Sequence, residues 1–323
     1  MFYMNYTLTA QTKKEADMKT KYHFSVPEQK RVRMIIHTDC KNEADDQYAL
    51  VHHLLTPKFI VKGIVAGHFD LGGKMYKSGR SATASLEEIH RILHLMDAEE
   101  YPAFLGSQLP MPDEHTPVDS EGARFIIEEA MKDDPHPLYI ACQGAVTDLA
   151  SALLIEPHIA KRMTAVWIGG GAYPAGGFEF NVQQDIAAAN VLMKSEMPIW
   201  QIPADVYRQM SVTLSELQLH VEPCGAIGKY LFDQMLEVNN DAADIPFWPN
   251  GESWGLGDSP TIGVFLEDPN NPDFFEEITA PTIDYENMTY NFEHPGRKIR
   301  VFKHINPRLI LDDMFAKLKI NFG

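Results

Sequence analysis

The stretch RVRMIIHTDCKNEADDQYALVHHLL, residues 31–55, decides how this chain folds. Its first part, RVRMIIHTD (31–39), is rich in branched apolar residues, as expected of a buried strand. Its last part, ADDQYALVHHLL, has a helical pattern, and Pro57 follows just after it as a stop signal. The short loop CKNEA joins the two.

The alternation continues outward. FIVKGIVAGH (59–68) reads as a strand, 80–97 as a helix and YPAFLG as a short strand. EGARFIIEEAMK (121–132) is helical, LYIACQG (138–144) a strand, and AVTDLASALL a helix again. MTAVWIGGG (163–171) is a strand running into a glycine loop; DIAAANVLMKS (185–195) is a helix and PIWQIPAD (198–205) a strand. Strands alternating with helices predict an α/β fold: a mainly parallel central sheet with helices on both faces, Rossmann-like, in a single domain over 31–323. Residues 1–30 are polar and mixed in charge, lack the apolar core of a secretory signal, and read as a flexible N-terminal extension. After about residue 211 the chain is more helical, interrupted by NNDAADIPFWPNGESWGLGD (239–258), a long loop carrying Trp248 and Trp254.

Composition narrows the function. The net charge of −17 repels phosphate backbones and anionic membranes, so neither nucleic acid nor a membrane is an expected partner. No stretch is long and apolar enough to span a bilayer. Cys40, Cys142 and Cys224 show no paired spacing, which argues against a disulfide framework or a zinc cage and fits a reducing compartment, the cytoplasm. A generic NAD-binding enzyme is excluded because no G-x-G-x-x-G follows the first strand, and a serine hydrolase because there is no G-x-S-x-G elbow.

In open α/β sheets ligands bind beyond the carboxyl ends of the strands. The first strand ends in His37-Thr38-Asp39, and its loop leads to Asp45-Asp46 at a helix start. Three carboxylates there repel one another unless a cation or protons neutralise them. Helix capping accounts for one or two of these acids but not for Asp39 as well. The second strand ends in Gly67-His68-Phe69-Asp70, the strand at 138–144 in Gln143-Gly144, and the strand at 163–171 in three glycines. The loop PAGGFEFNVQQD carries Glu179 and Asn181, and Asp258 opens the helix DSPTIGVFL. Singly, each has a plain structural role: loop hydrogen bonding for Glu179 and Asn181, an N-cap for Asp258, a satisfied core histidine for His68. Together at one edge they point to a cation site.

These segments resemble the inosine–uridine-type nucleoside hydrolases over about residues 31–315. HTDCKNEADDQYALVHHLL corresponds to the family's Asp-x-Asp-Pro-Gly-x-Asp-Asp and helix, and VAGHFD to its Gly-Asn after the second strand. QGAVTDLASALLIEP resembles its Thr-Gly-Pro-Leu-Thr-Asn-Leu-Ala helix start, VWIGGGA its Met-Gly-Gly-Ala strand end, GFEFNVQQDIAAANVLMKS its Glu-Phe-Asn segment, and GDSPTIGVFLEDP its His-Asp-Pro-led helix. The resemblance implies calcium held by Asp39, Asp46, Asp258 and the backbone carbonyl of Gln143, with Asp39 also the general base. It implies that Asp45 accepts a hydrogen bond from a ribose hydroxyl and that Glu179 and Asn181 bind sugar hydroxyls. His68 and Trp254 complete the expected substrate-binding set. The implied activity is calcium-dependent cleavage of the N-glycosidic bond of a ribonucleoside or related riboside to ribose and free base, in nucleoside catabolism and purine or pyrimidine salvage. The expected assembly is a homo-oligomer, a dimer or tetramer.

The chain also departs from the pattern. Five residues separate Asp39 from Asp45 where the family has three, and CKNEA replaces Pro-Gly. His37 stands for the first aspartate, His68 for an asparagine, Ile168 for a methionine, Tyr173 and Pro174 near another asparagine, and Gly257 where base-protonating members carry histidine. The calcium core is kept while the sugar and base pockets are altered. Glu43, carried by the longer loop, is the alternative base. The leaving base is expected to be protonated by His68, by His115 or by an acid that the sequence does not place, or to be activated by stacking on Trp248 or Trp254, whose plain role is packing under the loop. Two other readings stay open: a metal-dependent hydrolase of another glycoside, and a nucleoside- or ribose-binding protein with weakened catalysis.

Overall fold

Every residue of β1 (Val32–Thr38) is buried, as a parallel strand covered on both faces requires. The structure, a computed structural model, describes residues 18–69, 79–245, 251–292 and 296–323. The further strands are β2 (Phe59–Ala66), β3 (Ala103–Leu105), β4 (Leu138–Cys142), β5 (Met163–Ile168), β6 (Ile199–Ile202), β7 (Ser211–Thr213), β8 (Ser253–Gly255), β9 (Phe275–Thr279), β10 (Thr282–Ile283), β11 (Tyr290–Asn291) and β12 (Lys298–Phe302). The α-helices are α1 (Asp46–Leu54), α2 (Ser81–Leu95), α3 (Glu121–Ala130), α4 (Thr147–Ile155), α5 (Phe180–Gln184) and α6 (Ile186–Lys194). They continue with α7 (Ala204–Tyr207), α8 (Leu214–His220), α9 (Gly225–Asp241), α10 (Pro260–Leu266) and α11 (Pro307–Phe322).

The main sheet has eight strands in the order β3-β2-β1-β4-β5-β6-β12-β9. All neighbours are parallel except β12 and β9. The order reverses between β1 and β4, which opens a crevice at their carboxyl ends. Alternation along β1 sends side chains to both faces: Met34 and Ile36 join one core with Tyr48, Leu50 and Leu231, while Ile35 joins the other with Ile126, Leu149 and Leu192. Burial at about 25 cal/mol per Å² of apolar surface on both sides is what holds the helices against the sheet.

The strands stop earlier than their sequence patterns suggest. The one expected over 198–205 ends at Ile202, because Pro203 has no amide to pair and α7 starts at Ala204. The one expected over 163–171 ends at Ile168, and Gly170 takes φ +85° in the turn that follows. The sequence pattern marks no strand after residue 211, yet β9 and β12 extend the sheet. Their charged residues and the edge position of β9 hide the apolar signature that marks the central strands.

Within the segment read as an extension, the Met18 N–H donates to Tyr101 Oη at 2.9 Å and the Tyr22 hydroxyl to the Leu55 carbonyl at 2.7 Å. Among the described residues no helix is long and apolar enough to cross a membrane. All three cysteines are unpaired and buried.

Candidate active site

Asp39 follows β1 directly and is buried, and the chain turns at once over it: the N–H groups of Lys41 and Asn42 both donate to the Asp39 carbonyl, at 2.8 and 2.9 Å. Cys40 and Ala44 are fully buried and anchor the loop, and Gln234 of α9 donates to the Ala44 carbonyl at 2.9 Å. The loop, longer than the family pattern, is thus pinned at both ends and delivers Glu43 toward the acids rather than away from them.

Carboxylate oxygens of Asp45, Asp46 and Asp258 lie within 4.8 Å of one another, a grouping able to hold a metal ion. Asp46 accepts a hydrogen bond from the Thr38 hydroxyl. Burial, then the charge of Asp45, pushes the Asp46 carboxyl up to about 7. Burial also lifts Asp45, but backbone N–H groups including those of Gly257 and Asp258 hold it to about 6. Burial and the charges of Asp46 and Asp45 raise Asp39 well above the usual carboxylate range; Glu43 and Asp258 are raised the same way, with Arg208 opposing the rise at Glu43. The tightest triad therefore takes in Asp45, with Asp39 adjoining it through Asp46.

The donor set fits a hard divalent cation. Asp39 Oδ2 is buried and no hydrogen-bond partner reaches it. A buried oxygen of this kind is costly unless something positive completes it. Gly144 lets Asp39 sit close to the end of β4: a Cβ there would lie 2.8 Å from Asp39 Cγ and Oδ1. The Gln143 carbonyl faces the same crevice and accepts the Asn181 amide at 3.1 Å, which leaves one lone pair for a cation. Asn181 gives its other N–H to the Ile168 carbonyl at 3.0 Å.

Glu179 is fully buried and caps α5, its side chain accepting from Asn181 and Val182. His68 is buried, with Nε2 2.8 Å from Thr147 Oγ1, and that hydroxyl in turn donates to Asp185 Oδ2 at 2.7 Å. His37 does not reach the acids. Its Nε2 donates to Asp148 Oδ2 at 2.9 Å, and both are buried. Burial alone would raise Asp148, but bonds from His37, Ser120 and the Ser107 amide outweigh it and hold the carboxyl below its usual range.

Two residues raised as leaving-group partners lie elsewhere. Trp254 is only 2% exposed, in β8 among the core residues, so packing is its place and it presents no open ring face to a base. His115 is exposed and lines a separate cavity with Leu153, Pro157 and Val191, toward the ends of α4 and α6 remote from the acids. Trp248 and Asp70 lie outside the described residues.

Tyr207 was missed. Its hydroxyl donates to Glu179 Oε1 at 2.8 Å, and Arg208 lies over its ring, 5.9 Å from the centroid. A Cβ on Gly257 would lie 3.1 Å from its ring and 3.4 Å from Asp45 Oδ2. The signal was available: ADVYR follows β6 at the same carboxyl edge as the acids.

A family model described as inosine-uridine preferring nucleoside hydrolase matches residues 34–307. The pyrimidine-specific ribonucleoside hydrolase RihA of Salmonella arizonae is 22% identical over 250 residues, covering 69% of this chain and 74% of that protein. Among solved structures, a purine-preferring ribonucleoside hydrolase from Gardnerella vaginalis superposes with a TM-score of 0.69 at 18% identity, over 88% of this chain and 98% of its own. An inosine-guanosine nucleoside hydrolase gives 0.69 at 16% identity, over 90% and 99%. These structures share the α/β fold described above.

Proposed function

This chain belongs to the inosine-uridine preferring nucleoside hydrolase family, and from that premise we propose that it is a calcium-dependent hydrolase releasing ribose and free base from a ribonucleoside or related riboside. N-glycosidic hydrolysis of nucleosides is the activity of the family. One observation carries the finer reading: Asp39, Glu43, Asp45, Asp46 and Asp258 converge at the β1–β4 crevice while Asp39 Oδ2 stays buried without a hydrogen-bond partner. Hard carboxylate oxygens suit calcium.

Asp39, Asp46, Asp258 and the Gln143 carbonyl would hold the ion, with Asp45 at its side. The chemistry that calcium supplies when bound is charge, which neutralises these acids, gathers sugar hydroxyls and eases removal of a proton from water. Asp39 takes that proton as general base. Asp45 accepts from a ribose hydroxyl, and Asn181 offers its carbonyl oxygen to another, its N–H groups being spent on Gln143 and Ile168. The carboxylates favour the positive charge that develops on the sugar as the bond to the base breaks.

With glycine at 257 and His115 remote, His68 is the remaining histidine for the leaving base, oriented by Thr147 and Asp185. Glycine in place of the usual acid predicts that an activated leaving group does well. Nitrophenyl riboside, inosine and uridine assayed with calcium and with chelator test the proposal. Nitrophenyl riboside is expected to be cleaved well relative to inosine, and chelator to abolish all activity. Chelator-resistant turnover refutes the metal assignment, and inosine far faster than the activated riboside would send the search to His68 as an efficient acid. The three unpaired cysteines support work in a reducing compartment, the cytoplasm. The natural base and the dimer or tetramer expected of the chain are open to the same substrate panel and to light scattering.

A further inference from the structure

Glu179 is the residue expected to receive a sugar hydroxyl, yet its carboxylate is fully subscribed. Oε2 accepts the N–H groups of Gly170 at 2.9 Å and Val182 at 3.0 Å. Oε1 accepts the Asn181 N–H at 3.2 Å and the Tyr207 hydroxyl at 2.8 Å. Four donors match the four acceptor positions of a carboxylate. Three of them are backbone groups fixed by the glycine loop and α5. The fourth, Tyr207, comes from α7. Tyr207 is half-buried, and its ring lies against Gly257 beside the Asp45 carboxylate. It therefore bridges Glu179 and the acid cluster.

We propose that Tyr207, rather than Glu179, receives the ribose hydroxyl that does not reach the cation, and so determines which sugar this enzyme accepts. The proposal rests on the nucleoside hydrolase reading above. The ribose of a nucleoside has three free hydroxyls. The vicinal pair suits a cation, and the primary hydroxyl is left for another group. The Tyr207 O–H is spent on Glu179, so what Oη offers the pocket is a lone pair, an acceptor for that hydroxyl. Burial and the neighbouring Glu179 charge push the phenol pKa well up, so Tyr207 keeps its proton and is no acid for the leaving base. The same ring accounts for the glycine at 257, since a side chain there would meet it within 3.1 Å.

The test compares kcat/KM for nitrophenyl riboside and its 5-deoxy analogue, in calcium, for the wild type and Tyr207→Phe. The wild type is expected to prefer the riboside by about tenfold, the worth of one neutral hydrogen bond, and the variant by no more than about twofold. A variant that keeps the wild-type ratio overturns the proposal. So does an equal loss on both substrates, which marks Tyr207 as a prop for Glu179 only. Binding of 1,4-anhydroribitol and its 5-deoxy form, measured by calorimetry, reads the same contact without turnover. If the wild type cleaves neither glycoside, the hydrolase reading fails. The Kd ratio of the two ligands in wild type and variant still decides the role of Tyr207.

Discussion

Replacing Asp46 by Asn should stabilise this protein without its cation and take away most of the stabilisation that a cation brings. Oxygens of Asp45, Asp46 and Asp258 lie within 4.8 Å of one another. Two unit charges at that separation repel by roughly 3 kcal/mol at an effective dielectric constant of about 20. The Asp46 carboxyl tells the same story: burial and Asp45 push it from 3.8 to about 7, a shift of about 3 pH units worth about 4 kcal/mol. The sign follows from proton binding. A carboxyl whose folded pKa is raised holds more protons folded than unfolded, so stability is fully present below about pH 4 and lost as pH rises through about 7. In chelator, the wild type should therefore melt higher at pH 5.5 than at pH 8. Asp46→Asn keeps the acceptor for Thr38 and removes the charge, so at pH 8 in chelator it should gain about 2–4 kcal/mol and melt several degrees above the wild type. In calcium at about a hundred times Kd, the wild type gains about 2.7 kcal/mol by mass action and the variant much less. Differential scanning fluorimetry over the four combinations of pH and cation measures all of this. A variant that melts below the wild type in chelator at pH 8, or a wild type indifferent to calcium, would refute the electrostatic account.

Asp39→Asn should lower kcat on nitrophenyl riboside by about 10²-fold or more, as loss of a general base does, with the far-UV circular dichroism unchanged. A near-wild-type rate would move the role to Glu43, and Glu43→Gln would then be the inactive variant. Gly144→Ala puts a Cβ 2.8 Å from the Asp39 carboxyl carbon, so calcium titration should show affinity down by about tenfold or more, as for disturbed support of a metal ligand. An unchanged affinity would mean that Asp39 is free to shift. His53 is buried, and burial lowers its pKa to about 3. Its folded pKa lies below its unfolded one, so stability falls as pH drops from 6.5 toward 3, by about 3 kcal/mol on reaching pH 4.5. Urea unfolding in calcium should show that loss in the wild type and a flatter profile in His53→Leu.

What the sequence determined by itself was the repeating strand and helix, and with it the carboxyl edge. Periodicity reports burial, and burial of RVRMIIHTD on both faces already implies a covered parallel sheet. Asp39, Asp45, Asp46 and Asp258 were legible because each sits where a strand ends or a helix starts, a local property of the chain. Only the tertiary structure decided which of them meet. Asp258 lies more than two hundred residues from Asp45, and their approach depends on α10 packing against α1 beneath the β1–β4 crevice. Separations of 111 and 28 residues likewise hid the pairing of His37 with Asp148 and of Tyr207 with Glu179. A tryptophan in a loop has one sequence signature whether it stacks on a ligand or fills a core, and the pairing of β8 with β7 put Trp254 in the core. Glu179 shows the limit most plainly. Its residue type states that it can accept hydrogen bonds, and only the folded backbone of the glycine loop, together with a phenol from α7, decided that all of those bonds are already made.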